Sequence, residues 1–130
     1  MSELPRVLLV DDNVNVLARA SAVLAATCVV VGTAQDGPSA LRAAAVLCPD
    51  VIVLDISMPG MTGFEAAVAL RNAGSRAALI FLSVHADECL VVAAKAAGVI
   101  GYVVKPRLAS DLTEAVAEAH AGRGFVSALG

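Results

Sequence analysis

The stretch Val51-Ile52-Val53-Leu54-Asp55 decides the fold. Four apolar residues, three of them β-branched, end abruptly in an acid. A continuous apolar run this short suits a strand buried on both faces of a parallel sheet. Reading outward, the same pattern recurs at Arg6–Val10, Cys28–Ala34, Ala78–Ser83 and Gly101–Val104. Ala-rich segments of helical length follow the runs: Val14–Ala26, Pro38–Leu47, Phe64–Asn72, Asp87–Ala97 and Ser110–Ala121. Five such repeats predict a doubly wound α/β sandwich with right-handed crossovers.

The punctuation agrees. Pro38 after Asp36-Gly37 suits a first helical position, where its missing N–H costs nothing. Gly74 and Gly98 stand where the third and fourth helices should stop. Ser110 opens Ser-Asp-Leu-Thr-Glu, which reads as an N-cap followed by acids in the first turn.

Composition narrows the function classes. The 130 residues fit one domain, expected to span 1–130 with its core at about 4–124. Apolar residues reach 58%, yet the excess is Ala and Val, which suits close helix–sheet packing. The longest uncharged stretch, Ala20–Gln35, is shorter than the ~18–20 residues of a spanning helix. The first residues lack the apolar core of a signal peptide, so a cytoplasmic location without membrane contact is expected. Cys28, Cys48 and Cys89 have no zinc spacing and read as small buried hydrophobes. With a net charge of −3 and scattered basic residues, direct nucleic-acid binding by this domain is not expected.

In open α/β sheets the functional crevice lies beyond the carboxyl ends of the strands. The residues ending the predicted strands are Asp11-Asp12, Asp55, Ser83 and Lys105-Pro106. Three carboxylates in one crevice repel unless their pKa values rise or a cation settles among them. Hard oxygen ligands with room for water suit Mg²⁺. A carboxylate, a cation and an ammonium together can cradle a phosphoryl group in flight. A carboxylate can also be the nucleophile and become an acyl phosphate.

The runs Val10-Asp11-Asp12, Asp55-Ile56-Ser57-Met58-Pro59-Gly60-Met61-Thr62-Gly63, Leu82-Ser83 and Lys105-Pro106 resemble those of bacterial response-regulator receiver domains. The resemblance covers nearly the whole chain. It implies a flavodoxin-like, five-stranded parallel sheet of order 2-1-3-4-5 with five flanking helices. It implies Asp55 as the phosphoacceptor of a two-component phosphorelay, charged by a sensor histidine kinase or phosphotransfer protein. Asp12, Asp55 and the Ser57 backbone carbonyl would ligate Mg²⁺, with Asp11 acting through metal-bound water. Lys105 and Ser83 would meet the phosphoryl oxygens, and Tyr102 matches the aromatic that swings inward on activation. Pro106 matches a position usually preceded by a cis peptide bond. Val84 departs from the Ala or Gly common after the Ser83 position, and its bulk would narrow access to the phosphoryl group.

Rival readings meet obstacles in the residues. An aspartyl phosphatase needs a second acid where Ser57 stands. A flavin carrier would bring a phosphate against Asp11-Asp12, and no GxxxxGK[ST] loop exists. The alternative that stays open is a pseudo-receiver scaffold that acts by protein contact without phosphorylation. The tail from Ala121 to Ser127 is similar to the stretch that leads into the linker of LuxR-type helix-turn-helix regulators, so two outputs are expected: transcription control as the receiver of a longer regulator, or protein contact as a stand-alone receiver. The first and fourth helices carry apolar residues on more than one face, Val14 and Val92 among them. That pattern fits a partner surface, or a homodimer through the first/fifth or fourth/fifth helix region.

Overall fold

The structure, a computed structural model, describes residues 3–129. Six strands form one parallel sheet: β1 (Arg6–Val10), β2 (Val29–Ala34), β3 (Val51–Asp55), β4 (Ala78–Ser83), β5 (Gly101–Val104) and β6 (Phe125–Val126). Their order is β2-β1-β3-β4-β5-β6. Five α-helices flank them: α1 (Val14–Leu24), α2 (Gly37–Leu47), α3 (Gly63–Asn72), α4 (Glu88–Ala96) and α5 (Leu108–His120). The flavodoxin-like architecture is therefore as expected, with one strand added.

The strands are apolar on both faces because both faces are covered. Leu8, Val10, Ile52, Leu54, Leu79, Phe81, Tyr102 and Val104 point to one side, against Ala40, Ala44, Ala66, Leu70, Val91 and Ala94 of α2, α3 and α4. Val7, Leu9, Val51, Val53, Ile80, Leu82 and Val103 point to the other, against α1 and α5. This is the two-residue alternation of a strand, read from both sides. Alanines on the helix faces let the layers approach closely, and Ala40, Ala66 and Ala115 have no exposed surface.

The sixth strand corrects the expected five. Gly122, at φ 81°, ends α5, and the chain turns back along the free edge of β5. Phe125 N–H donates to Ile100 O at 3.1 Å. Covering an open edge in this way removes a pairing hazard. Two residues are too few to show a period, so the tail read only as a lead-in to a linker.

Other boundaries shift for local reasons. Pro38 occupies the second helical position, because Gly37 already follows the Asp36 cap. Asp36 Oδ1 accepts from Ser39 N–H at 2.8 Å. Ser110 is not an N-cap but lies inside α5. A 3₁₀ turn over Lys105–Arg107 feeds the helix directly at Leu108, leaving no cap for Ser110 to supply. Gly74 and Gly98 do close α3 and α4, at φ 88° and 84°. Cys28 is buried, but Cys48 and Cys89 are exposed, because they sit at a helix end and on the outer face of α4. Val14 and Val92 are exposed, so each of α1 and α4 keeps apolar surface beyond its packed face.

Candidate functional site

The carboxyl ends of β1, β3, β4 and β5 bring the singled-out side chains to one edge of the sheet. In register, Val10 lies beside Leu54, Asp55 beside Leu82, and Ser83 beside Val104. Asp55 and Ser83 end their strands, Asp11 and Lys105 stand one step beyond theirs, and Asp12 stands two. Asp11, Asp55 and Ser83 are buried, whereas Asp12 is exposed at the rim.

Carboxylate oxygens of Asp11, Asp12 and Asp55 all lie within 4.8 Å of one another. Lys105 Nζ stands 3.0 Å from Asp11 Oδ2 and 3.5 Å from Asp55 Oδ2. Backbone amides hold the other oxygens in place. Asn13 N–H donates to Asp11 Oδ1 at 2.9 Å, and Ser57 N–H donates to Asp55 Oδ1 at 3.1 Å. Asn13 also caps α1, so Asp12 is free of the capping duty its position suggests. Ser57 itself is exposed in the loop after β3.

The electrostatics leave the site short of positive charge. Three carboxylates face one ammonium. Burial pushes the Asp55 carboxyl up to about 6; the Asp11 charge adds to the push, while Lys105 and the Ser57 N–H oppose it. Burial disfavours charge on Lys105, but contacts with Asp11 and Asp55 outweigh it and hold its pKa above the usual range. Asp11 Oδ2 is buried and receives no hydrogen bond; its contact with Lys105 is ionic but not aligned as one. An orphaned buried oxygen in a crowd of acids is what a hard divalent cation would satisfy. The cluster can therefore hold a metal ion, and the all-oxygen donor set fits Mg²⁺.

The loop after β3 is shaped by its sequence. Thr62 and Glu65 form a reciprocal capping box at the start of α3, with bonds of 3.0 and 3.2 Å. Gly63 N–H donates to Ile56 O at 2.8 Å. A Cβ on Gly63 would lie 2.6 Å from Asp55 O, so only glycine lets the helix start this close to the acid.

Ser83 and Tyr102 are linked through the loop beyond β4. Ser83 Oγ accepts from His85 N–H at 3.0 Å, and Tyr102 Oη donates to His85 O at 2.7 Å. Tyr102 is turned inward, with 1% of its surface exposed. Val84 is exposed on the rim between them. Pro106 corrects an expectation: the Lys105–Pro106 bond is trans, as no cis peptide occurs among the described residues. The trans proline fits into the 3₁₀ turn, near its start, where no N–H is required. A groove of about 840 Å³ lies at the opposite edge of the sheet, lined by Leu41, Pro49, Asp50, Arg76 and Ile100 among others. None of Asp11, Asp12 and Asp55 lines it.

Sequence reasoning missed a second buried polar group, Asp111 with Ser127. Asp111 read as a first-turn acid and Ser127 as tail. Their separation follows no helix or strand period, so only the fold brings them together.

Comparison with known proteins accords with this geometry. The response regulator receiver domain family matches residues 7–117. The transcriptional regulatory protein PrrA of Mycobacterium tuberculosis is 40% identical over 112 residues, which is 86% of this chain and 48% of PrrA. The chain thus spans about half the length of the curated relatives it matches. The signal receiver domain of the response regulator NarL from Mycobacterium tuberculosis superposes with a TM-score of 0.87 at 31% identity, covering 94% of this chain and 100% of that one. A two-component response regulator of the LuxR family from Aurantimonas gives a TM-score of 0.90 at 29% identity, covering 96% and 91%. Among the described residues, no helix is long and apolar enough to cross a membrane.

Proposed function

Because the chain belongs to the response regulator receiver domain family, we propose that it accepts a phosphoryl group on Asp55 from a histidine kinase or phosphotransfer protein. The observation that carries this reading is the meeting of Asp11, Asp12 and Asp55 with Lys105 bridging two of them. An Asp55 carboxylate oxygen attacks the phosphorus of a phosphohistidine. The P–N bond breaks, its electron pair returns to the imidazole, and Asp55 becomes an acyl phosphate.

The surrounding groups have separate tasks. Asp12, Asp55 and the Ser57 carbonyl would hold Mg²⁺, with Asp11 acting through water. When bound, Mg²⁺ neutralises the carboxylates and the charge on the phosphoryl oxygens. Lys105 stays charged and meets one phosphoryl oxygen. Ser83, on the neighbouring strand, turns its hydroxyl from the His85 N–H to another. That movement acts on the loop that Tyr102 grips through the His85 carbonyl. The phosphoryl group thereby favours one of two packings of this face.

The output follows the relatives. PrrA and NarL are named as transcriptional regulators, and this chain spans under half of each. We assign the domain to the control of a transcription-regulating effector in the cytoplasm. The exposed valines of α1 and α4 would contribute to kinase docking or self-association.

Phosphotransfer tests the proposal. Candidate sensor kinases, autophosphorylated with labelled ATP, are mixed with wild type or Asp55→Asn. At least one kinase should pass label to the wild type within minutes and none to the variant. Label on the variant would refute the assignment of Asp55.

A further inference from the structure

Among the described residues, two polar side chains are buried outside the acidic crevice: Asp111 is 7% exposed and Ser127 2%. Burying polar groups is costly unless they are bonded. Theirs are, and the bonds lead to β5. Ser127 Oγ donates to Asp111 Oδ2 at 2.7 Å and accepts from Val104 N–H at 3.2 Å. Ser127 N–H donates to Tyr102 O at 2.8 Å. One serine thus grips β5 on both sides of Val103.

What it grips matters. Tyr102 reaches the His85 carbonyl, and Val104 lies beside Ser83 in the sheet. Lys105, the next residue, touches Asp11 and Asp55. Asp111 is fixed in turn by Arg107, at 2.9 and 3.3 Å, and by Ser110 Oγ at 3.1 Å. Leu129 packs on the cluster that contains Tyr102 and Val104. The segment from β6 onward is therefore fastened to the backbone that carries Tyr102 and Lys105.

Serine can make both side-chain bonds at once. Its single hydroxyl proton goes to Asp111, which leaves a lone pair for the Val104 N–H. Alanine would orphan that N–H and remove one donor from a buried carboxylate.

We infer that Ser127 is a positioning residue for the phosphoryl site. With Asp111 behind it, Ser127 clamps β5 so that Lys105 and Tyr102 keep the arrangement that receives a phosphoryl group on Asp55. This inference rests on the reading of Asp55 as phosphoacceptor. Linkage makes the coupling reciprocal: occupancy at Asp55 tightens the β6 segment by as much as the clamp favours occupancy.

The test uses the full chain with Mg²⁺ and beryllofluoride as a phosphoryl mimic. Fluorine NMR reads affinity, and amide exchange reads the Ser127 N–H. Wild type should bind, and exchange at Ser127 should slow. Ser127→Ala should bind about fivefold more weakly, the scale of one lost hydrogen bond. Ser127→Thr restores the hydroxyl and should recover most of that affinity, which a simple packing role would not give. Arg107→Ala, at a half-exposed side chain, loosens Asp111 without altering Ser127 and should weaken binding in the same direction. Wild-type affinity in Ser127→Ala or Arg107→Ala, with Ser127 exchange unmoved by the mimic, would overturn the clamp and leave Asp55 standing. No binding by wild type would overturn both.

Discussion

Lys105 Nζ lies 3.5 Å from Asp55 Oδ2 and closer still, 3.0 Å, to Asp11 Oδ2. One ammonium therefore serves two buried carboxylates, and the side chain that pairs with Asp55 also restrains Asp11.

The raised Asp55 pKa makes stability depend on pH. A folded value of about 6 lies above the ~3.9 of an unfolded Asp, so between them the folded state holds the extra proton. Without divalent cation, the Asp55 contribution to stability should be fully present below about pH 4 and be lost as pH rises through about 6. Asp55→Asn should remove this part of the slope and, at pH 7–8, stabilise the metal-free fold by roughly 1–3 kcal/mol. Urea unfolding across the pH range, in EDTA, measures it.

Lys105→Met leaves Asp11 and Asp55 without their cation. The metal-free fold at pH 7 should lose roughly 1–3 kcal/mol, since Lys105 is only partly buried and water offsets some of the loss. Mg²⁺ should then bind more tightly, because Lys105 no longer competes for the same oxygens. Calorimetric titration with Mg²⁺ against wild type reads the sign directly, and weaker binding would argue against competition.

Gly63→Ala should damage the acidic edge from behind. Its Cβ would meet Asp55 O at 2.6 Å, so β3 or the start of α3 must move. We expect a loss of about 1–3 kcal/mol in thermal or urea unfolding and slower phosphorylation by acetyl phosphate. Wild-type values for both would mean the close approach is not needed.

Val84 is 61% exposed on the rim, so changing it should alter access and not folding. Val84→Ala should speed phosphorylation and hydrolysis with a small-molecule donor, while stability moves by no more than about 0.5 kcal/mol. Equal rates in the two proteins would remove Val84 from the list of rate-setting residues.

Much of this architecture was legible in the residues because both faces of the sheet are covered. Runs such as Val51–Leu54 are uniformly apolar for that reason, and the polar residue after each run marks where the chain reaches the crevice. Asp11, Asp12, Asp55, Ser83 and Lys105 were found at strand ends by that contrast alone. The misses have a common cause in tertiary context. Ser110 has the look of a cap, but the turn at Lys105–Arg107 runs straight into α5. β6 is too short to leave a period, and Ser127 meets Asp111 only because the tail folds back along β5. Nor can spacing show that Asp11 Oδ2 receives no hydrogen bond, since that depends on the direction from which Lys105 arrives.

The role of Asp55 is tested most directly by intact mass. Wild type and Asp55→Asn are incubated with acetyl phosphate, with and without Mg²⁺. A gain of about 80 Da, one phosphoryl group, should appear in wild type with Mg²⁺ and be absent from the variant. The same gain in Asp55→Asn would place the phosphoryl group elsewhere, and no gain in wild type from acetyl phosphate or from any charged kinase would favour a scaffold that is not phosphorylated.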